Sequence, residues 1–100
     1  IRDPQDVPFQ TTVNGQLRQT GNTRDMTFTF AEYLEYATRD TTFMPGDMIA
    51  AGTCKGTAMD STPRVDGGGF ANDKLFLRVG DVVEVSSPLI GVLRNRIVSK

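Results

Sequence analysis

The sequence predicts a mainly β domain with one short helix. Short runs of alternating or β-branched apolar residues recur along the chain, and glycine-containing turn signals separate them. A single segment repeats its apolar residues at helical spacing. At 100 residues the chain is read as one domain, 1–100, with material for a modest core.

Residues 3–8 carry two prolines among polar neighbours and read as a linker or entry turn. In Phe9–Val13, the residues Phe9, Thr11 and Val13 alternate with Gln10 and Thr12, the pattern of a half-buried strand. Asn14-Gly15 suits a type I′ turn because both positions tolerate positive φ, so a hairpin should return through Gln16–Gln19. The polar, unperiodic piece Thr20–Asp25 is expected to be a loop. Thr29 then stands three residues before Glu32, as in a capping box, and Phe30, Tyr33, Leu34 and Ala37 recur at i, i+3, i+4 and i+7. This is the one expected helix. Glu32 and Glu35 fall on its capped, solvated side, and Glu35 stands four residues before Arg39, so they are read as helix-surface charges rather than a catalytic pair.

The stretch Pro45–Thr57 should organise the rest. It reads as a Pro-Gly-Asp turn, a short buried strand Met48–Ala51, and a loop in which glycines alternate with Thr53, Cys54, Lys55 and Thr57. Glycine lets a backbone approach another object closely, and those side chains supply polar groups for it to meet. Neither GxxxxGK[ST] nor GxGxxG is present, which argues against a phosphate or dinucleotide loop. A ligand contact and an ordinary glycine-rich turn both fit this composition.

Ala58–Asp73, with Pro63 and the run Gly67-Gly68-Gly69, is expected to be a long surface excursion, and Asp60-Ser61 within it reads as solvated loop polarity. Val79-Gly80-Asp81-Val82-Val83 then echoes Pro45-Gly46-Asp47-Met48-Ile49. Strand Val82–Val85, a turn at Ser86-Ser87-Pro88 and strand Ile90–Val98 complete the chain, with Gly91 a candidate bulge or bend. Arg94 and Arg96 alternate along the last strand and share a face, toward solvent or an interface.

Composition narrows the function classes. Eleven basic and twelve acidic residues leave a formal charge of −1, so nothing in the charge balance calls for nucleic acid or an acidic membrane surface. No apolar run approaches the ~18 residues that cross a bilayer, and a soluble, cytoplasmic setting is expected. Cys54 is the single cysteine, and histidine is absent, which excludes a Ser-His or Cys-His nucleophile within these residues. The start at Ile1-Arg2-Asp3-Pro4 suggests part of a longer protein.

Taken together, Val13-Asn14-Gly15-Gln16-Leu17-Arg18-Gln19 with Gly21-Asn22-Thr23 and Asp25-Met26, then Pro45–Ile49 with Gly52-Thr53 and Lys55-Gly56, then Gly80–Val85 and Ile90–Asn95, resemble the C-terminal portion of the fumarylacetoacetate hydrolase family. The resemblance covers nearly the whole chain. It implies the C-terminal part of a distorted β-roll, usually dimeric, and a divalent cation, Mg²⁺ or Mn²⁺, held by carboxylates and by a 2-oxo acid substrate. It implies hydrolysis of a C–C bond in acylpyruvates and related dioxo acids, with isomerisation, decarboxylation or dehydration as alternatives on the same scaffold. A Lewis acid holding the enolised dioxo group would stabilise the carbanion left by that cleavage. A non-catalytic β module that binds a small acid is the remaining alternative.

By the same resemblance, the family's Glu-x-Glu pair, its following Asp and its lysine belong to sequence before Ile1. Metal and catalytic residues are therefore expected upstream, and the chain should need that N-terminal part of its own protein and form a homodimer. What it lends the site is Gly52 and Thr53, the threonine bonding the substrate's carboxylate end. Lys55, in the same loop, is read as solvated rather than catalytic. Cys54 stands where many members carry proline, and the long excursion after Thr57 resembles members acting on sugar-derived 2,4-dioxo acids.

Overall fold

The computed structural model describes all residues, 1–100, and is a four-stranded antiparallel sheet with few helices. Strands β1 (Pro8–Val13), β2 (Gln16–Asn22), β3 (Val82–Ser87) and β4 (Gly91–Arg96) lie in the order β2-β1-β3-β4. The β1–β2 hairpin turns at Asn14 and Gly15, whose φ values of 51° and 78° are the positive pair a type I′ turn needs. Asn14 also ties this turn to β3. Its amide oxygen accepts the Val82 N–H at 2.9 Å and its amide nitrogen donates to Asp81 Oδ1 at 2.9 Å.

The hairpin runs further than the sequence pattern suggests. Thr20–Asn22, expected to be loop, stays in β2 because Gln10, Phe9 and Pro8 remain available as partners, and a 3₁₀ turn at Thr23–Asp25 ends it. The return is also irregular. Thr11 faces Gln19 and Thr12 faces Leu17, so Arg18 is an extra, bulged residue. In an unbulged hairpin Gln19 would share the face of Gln10; the bulge puts Gln19 and Gly21 on the face of Phe9 and Thr11.

Helix α1 (Phe30–Ala37) begins with the expected box: Thr29 Oγ1 accepts the Glu32 N–H, and Glu32 Oε2 accepts the Thr29 N–H at 2.7 Å. That backbone donor, with the Thr29 hydroxyl, lowers the Glu32 pKa. The expected Glu35–Arg39 pair forms at 3.8 Å, with both side chains mostly exposed.

Other expectations are corrected. Residues 3–8 are not a linker but open with the expected entry turn, closed by the Asp6 N–H on the Asp3 carbonyl, and they also act as a clamp, since Gln5 donates to the Thr23 carbonyl and accepts the Phe30 N–H, an otherwise unpartnered donor at the start of α1. Met48–Ala51 is not a strand; no neighbouring strand offers it a ladder, and Met48 is 94% exposed. The excursion carries a short helix α2 (Ala58–Ser61), capped by Thr57, and a bridge between Arg64 and Phe70. Strand β3 continues through Ser87, moving the turn to 88–90, and β4 is trimmed to Gly91–Arg96. Arg94 and Arg96 are both exposed, as expected, and Arg94 in addition stands opposite Glu84 and bonds its carboxylate at 2.7 Å.

The two Gly-Asp turns prove to be the same device. In Met44–Asp47 and Arg78–Asp81 the aspartate carboxylate accepts the first residue's N–H at 2.8 Å, and the aspartate N–H returns to that residue's carbonyl at 3.0 Å. Gly46 and Gly80 supply the positive φ, 101° and 98°, that the third position of a type II turn requires. The Arg78 N–H, then the Asn14 amide, holds the Asp81 carboxyl below the usual carboxylate range.

Little apolar surface is sealed. Val7 and Val13 are the only buried hydrophobic residues, while Ile90, Val92 and Leu93 are each more than 60% exposed. The accessible surface is 8088 Å², against about 5,600 Å² for a self-contained chain of this mass. The radius of gyration, 16.6 Å, likewise exceeds the ~13 Å typical of 100 residues. Such a surface needs a cover. Residues 1–100 prepared alone should bind a dye such as ANS strongly and self-associate without fixed stoichiometry, whereas a chain that supplies the cover should leave the dye dark and stop at a discrete oligomer; a monomeric, dye-silent preparation of residues 1–100 would contradict this reading.

Candidate functional site

The loop after Ile49 is held against the sheet by two contacts that depend on the Arg18 bulge. Gly56, with φ 102°, packs so closely on the Arg18 carbonyl that a Cβ there would overlap its oxygen. One residue on, the Gln19 amide nitrogen donates to the Cys54 carbonyl at 2.9 Å and to Thr53 Oγ1 at 3.0 Å. Beyond it, Gly21 leaves room for Phe9 and Cys54: a Cβ there would lie 2.6 Å from the Phe9 ring and 3.1 Å from Cys54 Sγ.

Between this loop, the end of β2 and the start of α1 lies a cleft of about 740 Å³. Met26, Phe28, Phe30 and Tyr33 form an apolar side, and Ile49–Lys55 form the opposing rim. Gly52 and Thr53, the sequence-predicted pair, both line it. Gly52 has φ 86° and open space where a Cβ would be, so its left-handed backbone rather than crowding calls for glycine. Thr53 is exposed and carries its hydroxyl at the rim. Lys55 lines this cleft and a smaller polar hollow with Arg18, Gly56 and Asp60. Asp60 belongs to the loop's own framework: the Gly56 N–H donates to it at 2.9 Å and lowers its pKa.

Asp25 is the one carboxylate lining the main cleft, and no three His, Cys, Asp or Glu residues converge anywhere to hold a metal ion. These residues by themselves do not fit a divalent cation centre. Gln19 is the residue that sequence reasoning passed over as a site element. It stood in the Asn14–Gln19 motif, but its contact with the loop depends on the bulge.

The model of the fumarylacetoacetate (FAA) hydrolase C-terminal domain matches residues 1–98. The chain belongs to the fumarylacetoacetate hydrolase family. Among curated proteins, oxaloacetate tautomerase YisK of Bacillus subtilis is 38% identical over 97 residues, which are 97% of this chain and 29% of that protein. The 2,4-didehydro-3-deoxy-L-rhamnonate hydrolase of Sphingomonas sp. is 32% identical over 97% of this chain and 31% of its own length. A crystal structure of maleylpyruvate hydrolase from Sphingobium sp. SYK-6, in complex with manganese(II) and pyruvate, superposes with a TM-score of 0.70 at 26% identity, covering 98% of this chain and 31% of that one. The chain therefore spans about a third of the length of these family members. No helix is long and apolar enough to cross a membrane.

The close packing at Gly56 makes a local prediction. Gly56→Ala should push the loop off β2, seen as faster amide exchange at residues 53–56 in the full-length protein, whereas Gly52→Ala should raise exchange less, because it adds backbone strain without a clash. Equal exchange in the two variants would remove the role given to the Gly56 contact.

Proposed function

We propose that residues 1–100 are the C-terminal segment of a single catalytic domain that hydrolyses a C–C bond in acylpyruvates or sugar-derived 2,4-dioxo acids. The observation that carries this is the rim: Gly52 and Thr53 line a cleft whose far side is apolar, a shape suited to an acid with a short organic tail. Support for hydrolysis comes from the names of the rhamnonate and maleylpyruvate hydrolases. In this reading Thr53 donates its hydroxyl to the substrate's carboxylate, Gly52 lets the backbone pass close by, and Phe28, Phe30 and Tyr33 shield the tail from water. Lys55 stays a solvated rim charge. By the family resemblance, Mg²⁺ or Mn²⁺ is assigned to carboxylates in sequence before Ile1; residues 1–100 hold no ligand cluster of their own. The manganese(II) in the maleylpyruvate hydrolase supports a divalent ion, and the uncovered strand β4 is the surface we assign to a homodimer.

The tautomerase relative favours a second reading, keto–enol isomerisation of a 2-oxo acid on the same scaffold. Product analysis separates the two. The full-length protein with Mg²⁺ or Mn²⁺ should convert an acylpyruvate to pyruvate and a free acid. Enol loss from oxaloacetate without cleavage of any acylpyruvate would assign the isomerase, and failure to bind either metal by calorimetry would leave a small-acid-binding module.

Thr53→Val should weaken substrate binding by roughly 1–3 kcal/mol through one lost hydrogen bond, with metal affinity nearly unchanged. Wild-type kinetics in that variant would remove the role given to Thr53.

A further inference from the structure

The Gln19 amide makes two contacts on one nitrogen, and one of them fixes its orientation. The Cys54 carbonyl can only accept, so the amide group 2.9 Å from it must be the NH₂. The second N–H of that group then points to Thr53 Oγ1 at 3.0 Å, and the threonine oxygen is the acceptor. With a lone pair occupied this way, the hydroxyl's own proton is left to donate elsewhere. Its one other partner in the chain is the Cys54 carbonyl at 3.3 Å, a long contact that an anionic oxygen would outcompete.

We propose that Gln19 is a positioning residue that sets the Thr53 hydroxyl as a hydrogen-bond donor, so that the rim prefers a carboxylate over its neutral amide. This rests on the assignment of Thr53 to the carboxylate end of a 2-oxo acid. Gln19 does not itself line the cleft; it acts through Thr53 and through the loop it holds. The preference is one of polarity. A hydroxyl that must donate matches an acceptor-only carboxylate, whereas an amide can turn its NH₂ or its oxygen to a hydroxyl of either sense.

The test uses the full-length protein with Mg²⁺ and measures, by calorimetry, the dissociation constants of pyruvate and pyruvamide. Their ratio is read within each variant, so it is independent of the folded fraction. Gln19→Glu turns the donor into an acceptor at the same length, and should cut the preference for pyruvate about tenfold, the scale of one charge-assisted bond. Gln19→Lys still offers N–H and adds a positive charge, so its ratio should be no lower than that of wild type. Gln19→Leu, uncharged, should fall between them and serves should the glutamate variant not fold. In the Thr53→Val background, Gln19→Glu should cause no further loss, which separates an effect through the hydroxyl from simple repulsion of the anion.

An unchanged ratio in Gln19→Glu and Gln19→Leu, or additive losses in the double variant, would overturn the proposal. If Thr53→Val abolishes the preference while every Gln19 variant keeps it, only this inference falls. If Thr53→Val also keeps it, the assignment of Thr53 to the carboxylate falls first.

Discussion

A single extra residue in a strand governs the arrangement of the cleft. Because side chains alternate with a period of two, inserting Arg18 into β2 exchanges the faces of everything after it in that strand. Gln19 and Gly21 thereby come to the side of Phe9, where the loop from Ile49 crosses the sheet. At the bulge the Arg18 carbonyl also packs against Gly56. Both loop contacts follow from that one irregularity, and without it the Gln19 amide would stand on the opposite face.

Polar clamps, rather than a sealed core, hold the rest in place. Gln5 fixes the start of α1 against the 3₁₀ turn, Asn14 joins the first hairpin to β3, and the two aspartate-closed turns set the entries to the rim loop and to β3. Hydrogen bonds of this kind contribute about 0.5–1.5 kcal/mol each, so they specify geometry more than they supply stability. The apolar term is the one left incomplete. By register, Val85 and Leu93 share the face of Phe9 and Thr11, yet Val85 is 40% and Leu93 63% exposed. A hydrophobic face of this extent is stable only when covered, which agrees with a chain that spans a third of its relatives' length.

The cleft inherits the same division. Its apolar side comes from the turn before α1 and from the helix itself, and its polar rim from a loop whose backbone is placed by glycine and by side-chain amides. Apolar walls confer shape, and a few placed donors confer orientation. The charged floor of a cation-centred site would need a cluster of ligands that these residues do not contain.

Local chemistry determined much of this protein in the sequence alone. The Asn14-Gly15 turn, the Thr29–Glu32 box, the helix and the paired Gly-Asp turns each follow from a few adjacent residues with restricted φ or matched donors and acceptors. The glycine-rich loop around Gly52 and Thr53 stands out in the sequence for the same reason, as does the motif order that marks the family. Tertiary structure alone decided what depends on distant partners. Met48–Ala51 has the composition of a strand but no neighbour to pair with, Thr20–Asn22 has the composition of a loop but finds partners in β1, and residues 3–8 become a clamp only where Thr23 and Phe30 come within reach. The register that carries Gln19 to Thr53 belongs to this second kind, because a bulge is a property of two strands and no single stretch of sequence contains both.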